Sequence, residues 1–88
     1  MTNDRIVIWT SPTIRFQKLY VFKDGVMVDQ IGVIVEDLNE TLAAFIEKYS
    51  IRRLDFSGSH NYAKGLVEDF QEKSMLKFGV NDIRISYV

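Results

Sequence analysis

The chain has 88 residues, 47% of them apolar and 12% aromatic, with a formal net charge of −1 and no cysteine. That length predicts a single domain over residues 1–88 with a modest core, and that composition excludes intrinsic disorder, disulfide scaffolds and thiolate metal sites. The near-neutral charge supplies no bulk attraction to nucleic acid or anionic membranes.

Arg5–Trp9 (RIVIW) is a run of strand formers that ends at the turn residues Thr10-Ser11-Pro12-Thr13. Ile14–Phe22 is again aromatic and branched. Asp24-Gly25 separates it from a return strand over Val26–Val35, a strong hairpin signal because glycine tolerates positive φ. Gly32 reads as a bulge. Then the period changes. Leu38, Leu42, Phe45, Ile46 and Tyr49 fall on one face of a helix, with Asp37 as N-cap and Glu40 placed for a capping box. Ile51–Phe56 is a fourth strand. A second helix follows with Tyr62, Leu66, Val67 and Phe70 as its stripe, Lys64 and Glu68 at pairing distance, and Gly79 as its stop. Ile83–Val88 alternates as a last strand. No apolar run approaches the ~20 residues of a membrane span, and Met1–Arg5 does not read as a signal peptide. A cytoplasmic setting is the expectation.

The order β-β-β-α-β-α-β predicts an α/β fold with a mixed five-stranded sheet, order 3-2-1-4-5, strand 2 running against the rest. That succession, over nearly the whole chain, resembles the ribonuclease H-like fold shared by ribonuclease H, Holliday-junction resolvases and the actin-like ATPases. The resemblance lies in element order, and fold analogy does not carry function. In its nuclease branch, acids on the first and fourth strands hold divalent metals that activate water. Here the first strand, Ile6-Val7-Ile8-Trp9-Thr10, has no acid. Asp55 alone stands near the fourth-strand position, with Asp69 and Asp82 as later carboxylates outside any family motif. One carboxylate makes a poor Mg²⁺ site. The actin-like branch needs a glycine-rich first turn whose amides meet phosphates, whereas Pro12 has no amide to donate. Neither a metal, a cofactor nor a set of catalytic residues is expected.

The segment Asp55–His60 combines a strand end, a Ser-Gly-Ser turn and the only histidine. It matches neither the nucleophile elbow nor a Walker loop. Gly58 permits a sharp exit, and Ser59 or Asn61 caps the next helix, with His60 on the surface of its first turn. The functional alternative is an anion site formed by Ser57, Gly58, Ser59 and His60 at the helix mouth.

Right-handed crossovers place both helices on one sheet face. Alternation assigns Ile6, Ile8, Leu19, Val21, Leu54, Phe56, Ile83, Ile85 and Tyr87 to that side. The other side receives Val7, Trp9, Tyr20, Phe22, Arg53, Asp55 and Arg84, with the polar members suited to solvent. Larger members of the superfamily cover this face with a further helix, but here the last strand reaches Val88. Rings beside arginines are the residue types of interaction hot spots. Trp9, Tyr20, Phe22, Arg53 and Arg84 therefore form the candidate interaction face of a non-catalytic module that self-associates or binds a protein. Its compactness suits an accessory protein of a virus or mobile element. Two alternatives stand beside this reading. One is a single-stranded nucleic-acid binder, with the rings stacking bases and Arg53, Arg84 and Lys18 meeting phosphates. The other is a metal-dependent nuclease. A one-residue slip of register would instead turn the rings into ordinary core.

Overall fold

The computed structural model describes residues 3–58, 64–66, 68, 72 and 83–87. Five strands form one sheet: β1 (Arg5–Thr10), β2 (Phe16–Lys23), β3 (Val26–Ile34), β4 (Arg53–Ser57) and β5 (Arg84–Tyr87), in the order β3-β2-β1-β4-β5. β2 is antiparallel to β1 and β3, while β4 runs parallel to both β1 and β5. Strand order and directions match those expected from the hairpin and the two crossovers.

Asp24 and Gly25 join β2 to β3 with φ of 54° and 81°, both left-handed, as a type I′ turn requires. Asp4 pins that turn: it accepts from the Asp24 amide at 2.9 Å and from Lys23 Nζ at 2.6 Å. The Lys23 ammonium, and next the Asp24 amide, hold the Asp4 carboxyl below its ordinary value of 3.8.

The bulge of β3 is not at Gly32. Val21 faces Asp29 but Phe22 faces Met27, which leaves Val28 as the extra residue. Gly32 pairs regularly with Lys18. It serves close packing instead, because a Cβ there would stand 3.1 Å from Phe16 Cε2.

A 3₁₀ turn, Val35–Asp37, leads into α1 (Leu38–Tyr49). Leu38, Leu42 and Ile46 bury one stripe of this helix, each contributing roughly 1.5–3 kcal/mol. Asp37 occupies the N-cap position, but its side chain makes no capping bond. The 3₁₀ turn places Asp37 at φ −98°, ψ −2° rather than the extended backbone that a capping box needs. Ser50, in the left-handed region at φ 54°, closes the helix by donating its amide to the Ile46 carbonyl.

The core lies between the sheet and the helices. Ile6, Ile8, Leu19, Val21, Val33, Leu54 and Phe56 meet Leu38, Leu42, Ile46 and Ile51 there. Residues 64–66, 68 and 72 are helical. Leu66 packs against this same cluster, as do Ile83 and Ile85, so the second helical segment shares α1's side of the sheet. Lys64 and Glu68 are exposed. Tyr62, Val67, Phe70, Asp69, Gly79 and Asp82 lie outside the described residues.

Candidate interaction face

Register places Trp9 beside Lys18 and Ser57, and Val7 beside Tyr20 and Asp55. Arg5 lies beside Phe22, and Arg53 beside Arg84. Since Ile6 and Ile8 point into the core, alternation turns all of these onto the opposite face. The five residues expected to form the interaction face, Trp9, Tyr20, Phe22, Arg53 and Arg84, therefore share one side. The three rings are half-buried and both arginines are exposed.

Sequence reasoning named Lys18 only as a phosphate contact and missed Phe16 and Arg5. Phe16 meets Trp9 edge-on, with centroids 6.2 Å apart and planes at 76°. Lys18 Nζ stands 5.8 Å from the Trp9 ring and Arg5 Cζ 5.2 Å from the Phe22 ring. Each ring so capped keeps an apolar body with a cation over it. Phe16 is the first residue of β2. The same alternation that selected Tyr20 and Phe22 could have found it.

One expectation needs correction. Asp55 is on the open face but does not face solvent; it is completely buried. Arg5 Nη1 donates to Asp55 Oδ2 at 3.1 Å and Arg53 Nε donates to Oδ1 at 3.0 Å. The two guanidinium groups close over the carboxylate from neighbouring positions. A buried carboxylate requires such partners, and both of its oxygens are thereby engaged. Arg84, directly across from Arg53, lines a depression with Arg53, Ile85 and Ser86. Among the described residues no cluster of His, Asp or Glu has the makeup of a metal site.

The proposed anion site divides. Ser57 ends β4, half-buried beside Trp9. Gly58 has φ +113°, and a Cβ on it would stand 2.8 Å from the Thr10 carbonyl oxygen. Only glycine meets both conditions, which accounts for the residue without a ligand. Ser59, His60 and Asn61 lie outside the described residues. Across the strand ends, the Ser11 amide donates to the Phe16 carbonyl and the Ile14 amide to the Ser11 carbonyl. Ser11 Oγ and Thr13 Oγ1 are 3.3 Å apart. The Ser11 and Ile14 amides and the Ser11 and Thr13 hydroxyls thus serve the turn itself.

No protein-family model matches the chain, and no curated protein does. Solved structures do. A Bacteroides thetaiotaomicron protein of actin-like ATPase fold and unknown function superposes with a TM-score of 0.67 at 10% identity, over 97% of this chain and 32% of its own. Two structures of the Aquifex aeolicus Ppx/GppA family member follow, with TM-scores of 0.50 and 0.51 at 14% identity. All of this chain aligns to 36% and 35% of theirs. The fold is that of the actin-like ATPase and ribonuclease H-like proteins. The chain spans about a third of the length of these neighbours.

Proposed function

We propose that this chain is a non-catalytic interaction or self-assembly module whose open sheet face receives a protein surface. Trp9, Tyr20 and Phe22 supply the apolar anchors, with Phe16 extending them, and Arg53 and Arg84 supply ionic contacts at one side. The observation that carries the reading is the continuous lane of half-exposed rings beside these exposed arginines. Aromatic and arginine side chains are the enriched anchors of protein interfaces. Removing such partly exposed rings from water supplies about 25 cal/mol per Å² of apolar area. The buried Asp55 holds Arg5 and Arg53 in place, lowering the entropy lost when a partner engages them. A cytoplasmic setting accords with the cysteine-free composition; among the described residues no helix is long and apolar enough to cross a membrane.

A second reading has an observation of its own. Lys18 over Trp9 and Arg5 over Phe22 are the ring-and-cation pairs with which sheets bind single-stranded nucleic acid. Among the described residues nothing in the donor set favours a metal-dependent nuclease, since both Asp55 oxygens accept from arginines.

Trp9 is the only tryptophan and reports on the face directly. Its emission should shift to the blue as protein concentration rises from low to high micromolar, and Tyr20→Ala with Arg53→Glu should abolish the shift. Unchanged emission together with a strict monomer in sedimentation equilibrium overturns self-assembly through this face. Quenching by an oligothymidylate at low salt would move the assignment to the nucleic-acid reading.

A further inference from the structure

β3 stands at the edge of the sheet with β2 on one side only. The Val35 amide donates to the Arg15 carbonyl at 3.0 Å. In an antiparallel ladder hydrogen-bonded pairs alternate, so Asp29, Ile31 and Val33 direct their backbone groups to β2. Gln30, Gly32 and Ile34 direct theirs away from the sheet. The Gln30 amide is taken by Asp29 Oδ1 at 2.8 Å. The outward amides of Gly32 and Ile34, and the outward carbonyls of Gln30 and Gly32, have no such partner among the described residues; the Ile34 carbonyl opens the 3₁₀ turn as its N-cap acceptor.

The side chains along this edge are apolar on both faces. Val26 is 64% exposed, Met27 49%, Val28 48%, Ile31 40% and Ile34 52%. Natural edges are guarded by lysine, proline, brevity or inward charge. This strand is nine residues long and contains neither lysine nor proline. Its one charge, Asp29, is turned onto Tyr49, whose hydroxyl donates to Oδ2 at 2.7 Å. The bulge at Val28 interrupts one end and leaves Asp29–Ile34 regular.

We infer that β3 pairs antiparallel with β3 of a second copy, joining two five-stranded sheets into one of ten strands. A second copy fits because a two-fold contact must be self-complementary, and this lane is. With Gly32 opposite its own copy, Gln30 lies opposite Ile34 in both directions: the Gly32 amides meet the Gly32 carbonyls and the Ile34 amides meet the Gln30 carbonyls. On the helix side Ile31 falls opposite Val33, and no charge meets a like charge. The paired stretch, Gln30–Ile34, is about 17 Å long at ~3.3 Å per residue and about 20 Å deep through sheet and helix layer. That is about 700 Å² in total, the size of a weak, transient contact, so the dimer is populated only at high micromolar concentration. The inference concerns the sheet edge and stands apart from the open-face reading.

Sedimentation equilibrium of the full chain at rising concentration tests it with two edge variants. Ile34→Pro suits its position, because Ile34 has φ −78° and ψ 156°, near the ~−65° of proline, and its amide points away from β2. Ile31→Lys places a charge at the centre of the contact. Both should keep the wild-type circular dichroism and weaken dimerisation by at least about tenfold, as loss of edge hydrogen bonds and apolar contact implies. The chain has no cysteine, so Ile31→Cys should cross-link between chains with a short bis-maleimide, and Ser86→Cys on the far edge should not. A monomer at high micromolar concentration overturns the inference. So does a dimer that survives both edge variants, or one that dissociates only with Tyr20→Ala and Arg53→Glu, which would locate the contact on the open face.

Discussion

Replacing Gly58 by alanine tests the account of the β4 exit. The new Cβ would stand 2.8 Å from the Thr10 carbonyl oxygen, well inside the ~3.3 Å at which carbon meets a carbonyl oxygen. That oxygen belongs to the backbone of β1, a central strand, so relief requires the strand or the turn to move. Overpacking of this kind costs about 1–3 kcal/mol. The backbone at φ +113° adds roughly 1–3 kcal/mol for a residue with a side chain. Reduced freedom of the unfolded chain returns about 0.4–1 kcal/mol. The net destabilisation is about 2–4 kcal/mol, and each kcal/mol lowers Tm by roughly 4–8 °C in a domain of this size. Gly65→Ala is the internal control. Gly65 is helical and nothing lies within 4 Å of an added Cβ, so alanine there should stabilise by about 0.5–1 kcal/mol. Urea titration of both variants measures the contrast. A Gly58→Ala protein within about 0.5 kcal/mol of wild type, the range of a neutral surface change, would refute the close-approach reasoning.

Leu42→Ala should cost about 2–5 kcal/mol in the same titration, because Leu42 is fully buried at the centre of the α1 stripe. Asp55→Ala removes the shared acceptor of Arg5 and Arg53. Those guanidinium groups sit on side chains 39% and 46% exposed and recover water, so the expected loss is about 1–2 kcal/mol rather than that of a sealed pair. Tyr49 first, then the Gln30 amide, holds Asp29 below its ordinary value of 3.8. Lys23 does the same for Asp4. Both contribute stability above pH 3.8 that is lost as pH falls through their lower folded values. Asp4→Asn and Asp29→Asn should therefore flatten the acid limb of a Tm-against-pH curve, and an unchanged limb would count against these bonds.

Much of this architecture was legible because its signals are local. Asp24-Gly25 announces a turn that needs two positive φ values, and Leu38–Tyr49 repeats at helical spacing. Alternation in β1, β2 and β4 separated Ile6, Ile8 and Leu54 from Val7, Trp9 and Arg53. Features set by neighbouring strands were not legible. Asp55 is buried because Arg5, fifty positions away in the chain, lies on the next strand. The bulge falls at Val28, between the Asp24-Gly25 turn and Asp29, which Tyr49 holds from α1. Gly32, the expected bulge, is small because a ring from β2 lies over it. The exposure of β3 was hidden for a related reason: its residues read as core formers, and only the strand order puts them at a border.

That strand order also grades how firmly each ribbon is held. β1 is laced on both sides, with registered partners from Arg5 to Thr10 in β2 and from Ile6 to Trp9 in β4. β5 is attached along four positions of a single neighbour. Amide protons of Ile6, Val7 and Ile8 should accordingly be the last to exchange with deuterium, and those of Arg84 to Tyr87 among the first. By the same reasoning φ-values should be highest in the β1–β2–β3 meander, contiguous in sequence, which closes only short loops as it forms. The parallel strands, which close longer spans of chain, should show the lower values.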